Sequence, residues 1–169
     1  MNMNNLMKLF SLLLVFSTTT LFAQSEFAAF EKNAQVELIA VNKKMFQMMA
    51  NVKSDVNDKE TQAYNQLIKK LELLKSYETT NATVSGELQA AAQKYVANNN
   101  LVELMKVSEN GVNATYYVNQ SASRTNINEL LMVAKQSSKN TVMLIKGSFS
   151  LDELSALTNK MNISAIPTR

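Results

Sequence analysis

The sequence predicts an α+β domain: an antiparallel β-meander of about four to six strands, helices packed on one face, and a capped helix at the C-terminal end. Three observations carry this expectation. Apolar residues recur at helical spacing through the first half. Strict alternation takes over at Val112, directly after an Asn110-Gly111 turn signal. Ser150 and Glu153 then mark a helix start ahead of a further apolar stripe.

Met1 to Ala23 reads as an export signal rather than as part of the fold. Lys8 is its one positive charge, Leu9 to Phe16 its apolar core, and small Ala23 before Gln24 its cleavage junction. The apolar run falls well short of the roughly 20 residues that span a bilayer. Removing 23 residues from 169 leaves 146, one domain's worth, with 16 basic against 14 acidic side chains. No later stretch is long and apolar enough to cross a membrane. The expected organisation is signal peptide 1–23, a single α+β domain 24–162 and a C-terminal tail 163–169.

Within that domain, Phe27, Phe30 and Ala34 suggest a short opening helix, and Val36 to Val41 a first strand. Met45, Met48, Met49 and Val52 share one helical face, which as a core stripe would pack on the sheet. A polar loop at 53–57 leads to a helix that Asn57 can cap with Glu60. Its stripe is Tyr64, Leu67, Ile68 and Leu71, with a strand expected from about Leu73. Thr83 opens the next helix, whose face is Val84, Leu88, Ala91, Ala92 and Tyr95 and which stops at Asn98-Asn99-Asn100.

Asn110-Gly111 suits a two-residue hairpin with positive φ at both centres. That turn sets a register in which Val107 faces Ala114, Met105 faces Tyr116 and Glu103 faces Val118. Ile127 to Ala134 and Thr141 to Ile145 are apolar on both sides over part of their length, as central strands are. Ser150 and Glu153 form a capping box, with Phe149 and Leu154 as a hydrophobic staple and Leu154, Leu157, Thr158 and Met161 as the inward stripe. Losing the Ser150 hydroxyl is expected to cost about 0.5–2 kcal/mol.

Composition removes most familiar chemistry. With no His and no Cys there is no thiol nucleophile, no Ser-His-Asp triad and no Cys/His zinc site. Three glycines make no phosphate-cradling loop. The basic residues are almost all Lys and spread along the chain, unlike a nucleic-acid interface. The one cluster of hard oxygen ligands, Asp55 to Glu60, lacks a turn glycine and is interrupted by Lys59, so no metal and no cofactor are expected. Glu103, Glu129 and Lys146 fall inside strands, where they could meet on a shared face or form an ordinary exposed pair. Met45, Phe46, Met48 and Met49, with Tyr117 on a strand, are the candidate ligand or partner face, since methionine surfaces adapt to what they bind.

Leu101 to Gly147, followed by Ser150-Leu151-Asp152-Glu153-Leu154, resembles the domain of unknown function 4252 family, as does Asn42-Lys43-Lys44-Met45-Phe46 after the first strand. The resemblance spans roughly Phe27 to Met161, and its motifs are structural. Members of that family occur in Bacteroidetes, some as lipoproteins. The resemblance implies a bacterial envelope or secreted location and leaves the activity open. This chain has no Cys after its signal, so no lipid anchor is expected. The leading functional expectation is an exported, non-catalytic module (periplasmic, outer-membrane-associated or secreted) that binds an unknown protein or envelope component. One alternative is a small-molecule or lipid carrier with its pocket near the Met45–Met49 helix. The other is a Lys/carboxylate hydrolase, which would need a cleft holding a lysine and an acid within hydrogen-bond reach.

Overall fold

A computed structural model describes residues 25–51, 59–109 and 111–153. The export segment with its Ala23 and Gln24 junction, the loop at 53–57 with the Asn57 cap, most of the 55–60 oxygen cluster, Asn110, the stripe from 154 to 161 and the tail lie outside the described residues.

Six strands form one antiparallel sheet: β1 (Glu37–Asn42), β2 (Leu71–Thr79), β3 (Leu101–Glu109), β4 (Val112–Asn119), β5 (Ile127–Lys135) and β6 (Asn140–Phe149). Their order across the sheet is β1-β2-β6-β5-β4-β3, so β3 to β6 form a meander and β6 meets β2 at its other side. Three helices connect them: α1 (Lys43–Ala50), α2 (Lys59–Lys70) and α3 (Ala82–Asn98). Each start that is described has its cap. The Asn42 side-chain oxygen accepts from the Met45 N–H at 3.0 Å, and that of Asn81 accepts from the Thr83 and Val84 N–H groups. Asn100, at φ 51°, turns the chain out of α3 into β3. Ser150 and Glu153 form the expected reciprocal box. The Ser150 N–H donates to Glu153 Oε2 at 2.9 Å and the Glu153 N–H to Ser150 Oγ at 3.1 Å.

The α+β class and the antiparallel sheet match the sequence, but the helices cover both faces of the sheet instead of one. On the first face, α1 and α2 bury Phe46, Leu67 and Ile68 against Leu74, Met132, Met143 and Ile145. On the second, α3 and the N-terminal turn bury Phe27, Leu88 and Tyr95 against Tyr77, Leu131 and Leu144. The cause lies in β5 and β6: Val142 to Ile145 are four consecutive buried residues, and a strand apolar on both sides needs a layer on both.

Four local expectations are corrected as well. The opening helix is only a turn leading into a short 3₁₀ segment at Phe30–Lys32, although Phe27 and Phe30 are buried. β2 begins at Leu71, so the last apolar residue of the α2 stripe is already strand. The inward residue of α1 is Phe46, with Met49 and Ala50 packed beside it, while Met45 and Met48 are 49% and 60% exposed. In the β3–β4 hairpin, Val107 pairs with Ala114 and Met105 with Tyr116 as expected, but Glu103 meets Tyr117 and Val102 meets Val118. A bulge between Glu103 and Met105 makes Leu104 the extra residue and shifts the register by one.

α2 enters β2 without a connecting residue, and Gly147 on β6 makes room for that junction. A Cβ at Gly147 would stand 2.5 Å from the Lys70 carbonyl oxygen and 2.9 Å from the Leu71 Cα, both backbone atoms that cannot swing aside. Gly86, exposed inside α3, has nothing within 4 Å of such a Cβ. The two glycines should therefore answer the same substitution with opposite signs in thermal melts. Gly147→Ala is expected to destabilise by about 1–3 kcal/mol, and Gly86→Ala to stabilise by about 0.5–1 kcal/mol.

Candidate binding cleft

Alternation along β2 sends Leu73, Lys75 and Tyr77 to the α3 face, and alternation along β6 does the same for Val142, Leu144 and Lys146. Register then decides which of them meet. Lys75 lies opposite Leu144 and Leu73 opposite Lys146, so the two lysines occupy diagonal positions on adjoining strands. The last turn of α3 supplies Tyr95, Asn98 and Asn99, and the N-terminal turn supplies Ser25, Glu26 and Phe27. Together they line a cleft of about 510 Å³.

Its floor is aromatic. Phe27 stacks on Tyr77 with ring centroids 5.2 Å apart and leans on Tyr95 at 5.3 Å. Each phenol and each lysine is held by a carboxylate. Glu31 accepts from Lys75 Nζ and, at 3.4 Å, from the Tyr77 hydroxyl. Glu129, the cross-strand partner of Lys146, forms an ion pair with its ammonium at 3.1 Å and accepts a hydrogen bond from the Tyr95 hydroxyl. Lys146 Nζ also lies 5.6 Å from the centre of the Tyr95 ring, within cation–π range. At the rim, Asn98 Nδ2 donates to Glu26 Oε1 at 2.7 Å.

Burial raises both phenols above the ordinary tyrosine range, Tyr77 with help from the Glu31 charge and Tyr95 with help from its hydrogen bond to Glu129. Both hydroxyls therefore remain donors. Glu31 is lowered, first by the hydrogen bond from Lys75, against the opposing effect of its own burial.

The residues singled out from sequence are divided rather than gathered. Phe46 is buried in the first core and Met49 packs at its edge, while Met45 and Met48 face solvent. Tyr117 is half-buried on the other face of the sheet, against the α3 core, so it does not join the methionines. Of the three strand charges, Glu129 and Lys146 meet, whereas Glu103 pairs with Lys106 on its own strand at 3.0 Å. Sequence reasoning missed Lys75, Tyr77, Glu31 and the two asparagines as a group. The available signal was a lysine between Leu73 and Tyr77, a charge interrupting an inward-facing apolar row. Among the described residues no group of three or more acidic side chains is placed to hold a metal ion, and no helix is long and apolar enough to cross a membrane.

A carboxylate held below its unfolded value adds stability that is complete above the ordinary value near 4.5 and is lost as the pH falls through the lower folded value. Wild type should thus melt above Glu31→Gln near neutrality, and the gap should close as the pH falls below about 4.5, the ordinary glutamate value, and through the lower folded one. A gap that stays constant across acid melts would show that Glu31 does not titrate with folding.

No curated protein and no solved structure matches the chain. A family described as a domain of unknown function (DUF4252) matches residues 30–157, from the 3₁₀ turn through all six strands, and the chain belongs to that family.

Proposed function

We propose that the protein is exported and acts without catalysis, as a module that binds a polar group of another protein or envelope component in the cleft on the α3 face. One observation carries this reading. Lys75 and Lys146 stand on adjoining strands above a packed aromatic floor, and each is already oriented by its own carboxylate. Donors and acceptors in fixed positions favour recognition, because little side-chain freedom remains to be lost on binding. Two lysines against Glu26, Glu31 and Glu129 leave the cleft with no positive excess, so it suits a neutral or zwitterionic group and not a polyanion such as nucleic acid. Export rests on the Lys8, Leu9 to Phe16 and Ala23-Gln24 pattern, which supports a mature chain in the periplasm, at the outer membrane or outside the cell. N-terminal sequencing of the exported protein should begin at Gln24, and a chain retaining Lys8 would contradict cleavage.

The hydrolase alternative has one observation in its favour: Lys146 and Glu129 lie within hydrogen-bond reach beside the cleft, with Tyr95 on the same carboxylate. Against it, that phenol is held protonated and the lysine is engaged in an ion pair. A carrier pocket under α1 has no such support, since Phe46 fills the contact between that helix and the sheet.

Calorimetric titration with neutral oligosaccharides, zwitterionic short peptides and a sulfated glycan separates these readings. A neutral or zwitterionic class should saturate the protein. Lys146→Ala should weaken it at least about tenfold, the size of one lost charge-assisted hydrogen bond, while Met45→Ala on the opposite face leaves it unchanged. Binding indifferent to both Lys75→Ala and Lys146→Ala would remove the cleft from the account. Substrate turnover abolished by Glu129→Gln in a folded protein would replace binding with catalysis.

A further inference from the structure

β3 is an edge strand, paired with β4 on one side and with no strand on the other among the described residues. It also carries a concentration of exposed apolar side chains, with Val102, Leu104 and Met105 between 37% and 41% exposed. An edge of this kind is a template for another strand unless something blocks it. The question is which strand fits.

The register with β4 assigns each side chain to a face. Val102, Met105 and Val107 lie opposite Val118, Tyr116 and Ala114, all members of the first-face core. Leu104, the extra residue of the bulge, borders a groove with Val118 and Ile127 and so lies on that face too. Glu103 and Lys106 lie opposite Tyr117 and Thr115 on the second face, and their 3.0 Å ion pair places them together there. From Val102 to Val107 the strand therefore reads apolar, acidic, apolar, apolar, basic, apolar, with the two charges on one face and the four apolar residues on the other. Read backwards the pattern is the same, with the charges exchanged.

We infer that β3 pairs antiparallel with β3 of a second copy of this chain, about a two-fold axis between Leu104 and Met105. In that register Leu104 faces Met105 of the second copy, Val102 faces Val107, and Glu103 faces Lys106, each contact occurring twice. Opposite charges and apolar pairs are the favourable cross-strand combinations. The bulge is what permits the register. In a regular strand residues three apart point to opposite faces, so this pairing would set Glu103 against a lysine on the wrong side of the sheet. The extra residue returns Glu103 and Lys106 to one face. Its added twist also restricts the edge, because only bulge against bulge matches on both strands. The product is a closed two-fold dimer and not an open-ended stack. The pairing is independent of the cleft, which is built from β2, β6, α3 and the N-terminal turn.

Sedimentation equilibrium of the purified protein should show a dimer that weakens as salt is raised. Glu103→Lys and Lys106→Glu, each folded by circular dichroism, should raise the dimer dissociation constant at least about tenfold, since each puts like charges opposite one another twice. The double exchange Glu103→Lys/Lys106→Glu should restore it. The native chain has no cysteine, so a second readout is clean. A mixture of Val102→Cys and Val107→Cys proteins should form the mixed disulfide in preference to either symmetric one. A monomeric wild type, whether its edge is covered by another protein or by a different segment of this chain, would overturn the inference. So would a dimer that neither charge reversal disturbs, or disulfides without preference for the mixed pair.

Discussion

The pairing of β6 with both β2 and β5 is the constraint on which the rest of the molecule depends. It joins the N-terminal unit, β1 to β2 with its two helices, to the meander that ends the sheet. Because β6 lies in the interior of the sheet, Val142 to Ile145 are buried on alternating faces, and two helical layers follow from one strand. The same contact accounts for Gly147, where the start of β2 runs so close to β6 that a side chain has no room. It also accounts for the cleft, since Lys75 and Lys146 become neighbours only when β2 and β6 align.

What could be read from the chain was the part set by neighbours along it. The stripes of α2 and α3, the hairpin after β3, the central character of β5 and β6, and the box at Ser150 are all local patterns, and all are present. The departures come where two local patterns compete or where distant segments decide. In α1 the sequence KKMFQMMA carries two overlapping stripes, Met45-Met48-Met49 and Phe46-Met49-Ala50, and spacing alone does not rank them. Packing does: Phe46 presents the larger rigid ring to the sheet and Met45 and Met48 are left outside. The β3 register slipped for a related reason. The adjacent apolar pair Leu104-Met105 breaks the alternation and marks the bulge, but a hairpin register counted from the turn passes over it. The expectation of a one-faced sheet fell to its own companion observation, since strands apolar on both sides require cover on both.

The cleft was not legible because no short spacing contains it. Its charges come from the N-terminal turn, β2, β5 and β6, brought together by non-local pairing. Stability supplies no reason for them to be there. The side chains of Lys75, Lys146 and Glu129 are 24%, 38% and 16% exposed, a setting in which an ion pair contributes about 0–1 kcal/mol and an apolar replacement of similar volume does as well or better. Leucine or valine at positions 75 and 146 would extend the row formed by Leu73, Tyr77, Val142 and Leu144, and would close the recess against Phe27 and Tyr95. Lysine at both positions instead keeps the recess polar and open, with each charged group held by a carboxylate. The fold thus forgoes apolar burial at two adjoining sites on its interior strands while pairing both lysines with carboxylates, and among the described residues it leaves no buried side-chain nitrogen or oxygen without a partner; this is the physical ground of the proposal that this face binds.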